Sequence, residues 1–184
     1  MRTTIYFVRH GESLSNVDPF FNGANDELSD VGLIQAKVAA NRFRNIKVDN
    51  IFTSEILRAQ KTAEEIGKVT GIRFETCEFI KERRGSFTSD ASFSHDESFN
   101  RLKERLIEAK IFLESLTQKH VVVVSHAIFL KSLAAYLMLG ELLTEELLSK
   151  IEDVLVLENA GVSKFVFNKE KSKWRMMSWN EVDH

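Results

Sequence analysis

The sequence predicts an α/β protein: a three-layer α/β/α sandwich around a mostly parallel, mixed central sheet. Short apolar runs at residues 4–9, 50–53 and 121–125 alternate with amphipathic stretches of helical period. Such runs carry no polar face, as expected of strands covered by helices on both sides. The last third leaves this alternation and becomes β-rich, which adds a terminal meander to the sheet.

The elements follow in order. Residues 4–9 read as a buried strand. Residues 29–44 read as a helix with Ser29 as N-cap, and Val31, Ile34, Val38 and Phe43 fall roughly on one face. Residues 50–53 form the second strand. A helix from about 55 to 69 stops near Gly71, because glycine accepts the left-handed conformation that ends helices. Residues 74–96 show weak periodicity and read as an irregular connection. At 97–117 a stripe of Phe99, Leu102, Leu106, Ala109, Leu113 and Leu116 gives a long amphipathic helix. The run at 121–125 is a central parallel strand, with helices following at about 128–139 and 143–151. Strands are expected at 154–158, 161–167 and 173–179, with a polar turn at 168–172.

The chain has 184 residues, enough for one domain with a substantial core, and a single domain over 1–184 is expected. A formal net charge of −2 gives no general attraction for nucleic acid or an anionic membrane. The one cysteine, Cys77, forms no intramolecular disulfide and belongs to no Cys-x-x-Cys metal pattern, so it is expected to be inert. No stretch resembles a signal peptide or a membrane span, so a cytoplasmic protein is expected.

Three strand ends carry matching chemistry. The first strand runs into Arg9-His10-Gly11, the second is followed by Ser54 and Arg58, and the central one ends in Ser125-His126. If these strands are parallel neighbours, their C-terminal ends share one edge, where open α/β sheets bind ligands. Two guanidiniums and two imidazoles brought together repel unless an anion lies between them. A phosphoryl group suits them, because the arginine fork matches its oxygens.

Together these segments resemble the histidine phosphatase superfamily, the phosphoglycerate-mutase-like proteins, over most of the chain. Arg9-His10-Gly11-Glu12-Ser13-x-x-Asn16 is similar to its nucleophile motif. Gly23-x-x-Asp26-x-Leu28-Ser29-x-x-Gly32-x-x-Gln35-Ala36 is similar to the segment that follows it, and Ser54-x-x-Leu57-Arg58-Ala59-x-x-Thr62-Ala63 to the second-arginine motif. Glu97-Ser98 before the long helix and then Ser125-His126 complete the order. The resemblance implies that His10 is the nucleophile and becomes phosphorylated. It implies that Arg9, Arg58 and His126 bind the transferring phosphoryl, and that Asn16 helps hold phosphate or nearby substrate oxygens. It places the proton donor after the second helix, where Glu82 fits best, with Glu78 and Glu12 as competitors.

The implied mechanism needs neutral His10 to attack phosphorus through one ring nitrogen while the other donates to a backbone carbonyl. Arg9, Arg58 and a protonated His126 would meet the phosphoryl charge. Glu82 would give a proton to the leaving alkoxide and later take one from water. No metal and no cofactor is implied. The expected partner is a small phosphomonoester, with no nucleic acid and no membrane.

Two departures from the family pattern bear on the substrate. Ala127 stands where many members have glycine, and Ser86-Phe87-Thr88 follows Gly85 in place of Trp-Glu-Gly. The mutases it resembles carry longer inserted segments over the phosphoenzyme, whereas this chain has about twenty irregular residues there. A phosphatase is therefore expected. The alternatives are a mutase, a phosphohistidine-protein phosphatase, and a silent phospho-ligand-binding module. Arg83 and Arg84 either face the mouth of the site or are solvated loop cations. Phe87, Phe93 and Phe99 form an apolar wall or anchor the loop, with anchoring favoured for Phe99.

Overall fold

A computed structural model describes residues 1–18, 26–83 and 97–182. Gly23, Arg84, Gly85, the 86–88 segment and Phe93 lie outside them. Six strands form one sheet: β1 (Arg2–Arg9), β2 (Asn50–Thr53), β3 (Phe74–Thr76), β4 (His120–Ser125), β5 (Val162–Asn168) and β6 (Lys173–Glu181). Their order is β3-β2-β4-β1-β5-β6. The first four in that order run parallel, and β5 and β6 add antiparallel pairings at one side. The sheet is therefore mixed and mostly parallel.

The helices are α1 (Leu14–Val17), α2 (Asp30–Asn41), α3 (Leu57–Thr70), α4 (Phe99–Ser115), α5 (Ala127–Leu139) and α6 (Glu145–Val154). Alternate strand residues feed two cores. Ile5, Phe7, Phe52, Val121 and Val123 pack with α4, α5 and Leu148 of α6. Tyr6, Val8, Ile51, Val122 and Val124 pack with α2 and α3 on the opposite face. Burial on both faces explains why these strands read as unbroken apolar runs. Leu102, Leu106, Ala109, Leu113 and Leu116 of the α4 stripe are buried, and Phe99 packs against them, as anchoring requires.

The helix ends follow local chemistry. Ser29 accepts a hydrogen bond from the Gly32 amide to cap α2, and Ser98 accepts one from the Arg101 amide to cap α4. Gly71, at φ 75°, ends α3.

Three expectations are corrected. Residues 155–158 form no strand: α6 continues to Val154 and an extended segment leads on to β5. The 74–96 connection begins with edge strand β3 and a 3-10 turn, Glu78–Ile80. On α2, Val31 and Ile34 are exposed, and the buried face is Gly32, Ala36, Ala39 and Ala40. The reason is close helix packing, since α2 meets α3 through small residues, Ala59 and Ala63 among them. Among the described residues, no helix is long and apolar enough to cross a membrane.

Candidate active site

Strand register builds the site. Arg9 pairs with Ser125 and Thr53 with Val124, so the next residues, His10, Ser54 and His126, leave the sheet at one edge. The His10 amide donates to the Ser125 carbonyl at 2.9 Å, and the two imidazoles lie 5.0 Å apart between centroids.

His10 is 3% exposed, and its ring is held at both nitrogens. Nδ1 lies 2.7 Å from the Gly11 carbonyl, an acceptor, so Nδ1 carries the hydrogen. The Arg58 Nε–H donates to Nε2 at 3.1 Å, so Nε2 holds the lone pair. Burial, reinforced by Arg58 and Arg9, keeps the imidazole well below the usual histidine range, against the opposing pull of the Gly11 carbonyl. The ring is thus neutral at neutral pH, in the tautomer that exposes Nε2.

The loop around His10 rests on glycine. A Cβ on Gly11 would overlap the Gly32 carbonyl, and one on Gly32 would overlap the Glu12 carbonyl. Two backbones therefore cross in contact where the nucleophile loop meets the start of α2. The Gly11 amide donates to Thr62 Oγ1, whose own hydroxyl donates to the Arg58 carbonyl, tying α3 to the same loop.

Arg9 donates to the Leu157 carbonyl at 2.7 Å, and its buried Nε has no partner among the described residues. Arg58 donates to Asp26 Oδ2 at 3.1 Å, forming a partly buried ion pair. Asp26 also accepts from the amide and hydroxyl of Ser15. His126, the N-cap of α5, is fully buried; its Nε2 lies 2.9 Å from Ser54 Oγ, while Nδ1 has no partner among the described residues. Burial and then His10, Arg58 and Arg9 hold His126 well below the usual range. The protonated His126 of the expected mechanism belongs to the phosphoryl-bound state; here burial is the first cause that favours the neutral ring.

Glu82 lies at the N-terminus of α5. Its Oε1 accepts from the amides of Phe129 and Arg83, each at 3.0 Å, and Oε2 from the Ile128 amide at 3.4 Å. Burial pushes its carboxyl above the usual range, against those amides and the charge of Arg58. The competitors are occupied elsewhere. Glu78 is exposed and drawn below its usual range by Lys81, and Glu12 accepts the Ser29 hydroxyl.

Asn16 is exposed at the rim. Its Oδ1 accepts from the Ser13 amide and from Asn159. Arg83 turns toward α6, 3.7 Å from Glu145. Burial pushes the Cys77 thiol up to about 11, in keeping with an inert residue. No group of three or more His, Cys, Asp or Glu suited to a metal occurs among the described residues. Asp26, Ser54, Thr62 and Asn159 join the site without having been singled out as site residues. Asp26, Ser54 and Thr62 lay inside the quoted motifs, whereas Asn159 had no local pattern to mark it.

The strand ends and the start of α3 bring Arg9, His10, Arg58 and His126 together in an α/β protein, with the partly buried Glu82 at the start of α5. The sequence profile of the histidine phosphatase superfamily (branch 1) matches residues 5–86 and 82–182, and the chain belongs to that superfamily. A probable phosphoglycerate mutase GpmB of Photorhabdus laumondii is 40% identical over 81 residues, 44% of this chain and 35% of that protein. The match thus spans about a third of that relative's length. The fold superposes on YhfR of Bacillus stearothermophilus with a TM-score of 0.82 at 20% identity, covering 99% of this chain and 98% of that one. It superposes on a mutant phosphoserine phosphatase of Entamoeba histolytica in complex with phosphoserine with a TM-score of 0.75 at 21% identity, covering 97% of each chain. At such identities the likeness establishes the fold.

Proposed function

We propose that the chain is a single catalytic domain, a metal-independent phosphomonoesterase that acts on a small phosphorylated metabolite through a phosphohistidine. The observation that carries this reading is the state of His10: neutral, with Nδ1–H fixed on a carbonyl and the Nε2 lone pair facing Arg58. On this reading Nε2 attacks phosphorus in line, and the P–O bond to the leaving group breaks. Arg58 shifts its donor from Nε2 to a phosphoryl oxygen. Arg9 Nε and His126 Nδ1, both without a partner among the described residues, supply further donors, His126 taking up a proton as the dianion arrives. Asn16, at the rim, offers its amide N–H₂ to substrate oxygens. Glu82 protonates the leaving alkoxide, then takes a proton from the water that hydrolyses the phosphohistidine. The phosphatase neighbour supports hydrolysis of a small phosphomonoester.

Phosphoryl transfer of the mutase type is the second reading, favoured by the relatives named as probable phosphoglycerate mutases. One experiment addresses both. Radiolabelled phosphomonoester is mixed with the protein and quenched in base or in acid. Label that survives base but not acid, and is absent from His10→Ala, is expected; acid-stable label overturns the reading. Conversion of 3- to 2-phosphoglycerate faster than release of inorganic phosphate selects the mutase.

A further inference from the structure

A charged residue interrupts the buried stripe of α4. Arg105 lies between Leu102 and Leu106, both fully buried, and its own side chain is 8% exposed. Its guanidinium donates from Nε to Glu97 Oε1 at 2.7 Å and from Nη2 to Glu97 Oε2 at 2.6 Å, a bidentate fork. Its Nη1 donates to the carbonyls of Phe79 at 3.0 Å and Lys81 at 2.8 Å. The carbonyl between them, that of Ile80, accepts the hydroxyl of Ser125 at 2.6 Å. Three consecutive carbonyls leading into Glu82 are thus each taken. The guanidinium also lies 5.0 Å from the ring centroid of Phe129, whose amide holds the Glu82 carboxyl.

We propose that Arg105, oriented by Glu97, is a positioning residue that sets where the Glu82 carboxyl stands relative to the leaving group. This rests on the reading of Glu82 as the proton donor. Arg105 reaches Glu82 from both sides: through the Lys81 carbonyl, which belongs to the peptide bond into Glu82, and through Phe129, which supplies the carboxyl's amide donor. Glu97 and Glu82 flank residues 83–96, and Arg105 joins the two ends of that stretch. A buried ion pair is weak evidence for stability, because desolvation offsets its attraction. A fixed geometry is what a planar fork with two extra donors supplies, and lysine cannot reproduce it. The group that benefits is the one whose placement governs proton transfer, which demands hydrogen-bond reach to the leaving oxygen.

The test compares p-nitrophenyl phosphate, whose leaving group needs little protonation, with phosphoserine or glycerol phosphate, whose alkoxide needs a full proton. In Arg105→Lys, kcat/KM for the alkyl ester is expected to fall by about 10²-fold, the effect of misplacing a catalytic group by on the order of 1 Å. The aryl ester should lose far less. Glu97→Gln, nearly isosteric, should shift the alkyl-to-aryl ratio in the same direction, and it stands in if Arg105→Lys loses its native near-UV spectrum. In a Glu82→Gln background, Arg105→Lys should add nothing to the alkyl loss. Equal losses on both esters in the Arg105 and Glu97 variants, or losses that multiply in the double variant, overturn the proposal while leaving Glu82 as donor. Equal losses on both esters in Glu82→Gln itself remove the donor reading and the proposal together.

Discussion

Arg58 Nε donates to His10 Nε2 across 3.1 Å, so the atom proposed to attack phosphorus is covered by the cation proposed to receive the phosphoryl oxygens. The same guanidinium holds Asp26 through Nη1. It therefore spans a neutral base and a carboxylate, and on the proposed reading substrate exchanges the first contact for one of its own.

Arg58→Lys should lower kcat/KM by roughly 10²–10³-fold, the range for removing one preorganised donor from a transition state. A single ammonium cannot contact Nε2 and Asp26 in the paired geometry of the fork. Steady-state kinetics, with circular dichroism to verify the fold, checks this. Retention of more than a tenth of wild-type activity would count against it.

The two buried imidazoles link stability to pH. Both have native proton affinities well below that of the unfolded chain, first through burial and then through neighbouring cations. Below about pH 6.5 the unfolded chain therefore takes up protons that the native state refuses. Stability is full above that pH and falls below it. Glu82 acts in the opposite sense, since its raised native affinity adds stability below its unfolded value and loses it as pH rises through the native one. Urea midpoints at pH 7.5 and 5.5 should show the loss, and Glu82→Gln isolates the histidine part. Saturating inorganic phosphate should diminish the loss, with proton uptake measurable by calorimetry in two buffers. A midpoint independent of pH and phosphate would contradict the assignment.

Chelation should leave turnover unchanged, because side-chain cations meet the phosphoryl charge on the proposed reading. Activity lost in EDTA and restored by Mg²⁺ or Zn²⁺ would replace that mechanism with a metal-assisted one.

Gly32→Ala should destabilise the fold by about 3 kcal/mol, the upper part of the overpacking range. For a chain of this size that lowers Tm by roughly 6–12 °C. The added methyl overlaps the Glu12 carbonyl, which is backbone and has no rotamer by which to yield. Thermal unfolding measures it, and a shift under 2 °C would show that the two loops part more easily than their contact implies.

Arg9, His10, Arg58 and His126 were legible because local pattern placed them at the ends of strands or starts of helices, and parallel pairing then brought those ends together. Glu82 was legible only through a family motif, since no periodicity marks its turn. The spacing of Val31 and Ile34 suggests an apolar face, whereas α2 packs through its small residues. Asn159 was invisible for a different reason. Its amide meets the His10 carbonyl and Asn16 across more than 140 residues of sequence, and no spacing records such a contact. Arg105 was hidden inside an apolar stripe, where a single charge reads as an interruption.

On the proposed reading the start of α5 faces two anions. Its N-cap is His126, and the amides of Ile128 and Phe129 hold Glu82. Those amides favour the ionised carboxyl, and burial outweighs them. A phosphate dianion settling beside His126 is a like charge to Glu82 and draws on the same positive helix end. Its arrival shifts Glu82 toward the protonated form, which on the proposed reading is the form that delivers a proton. On that reading the substrate itself strengthens the acid that serves it.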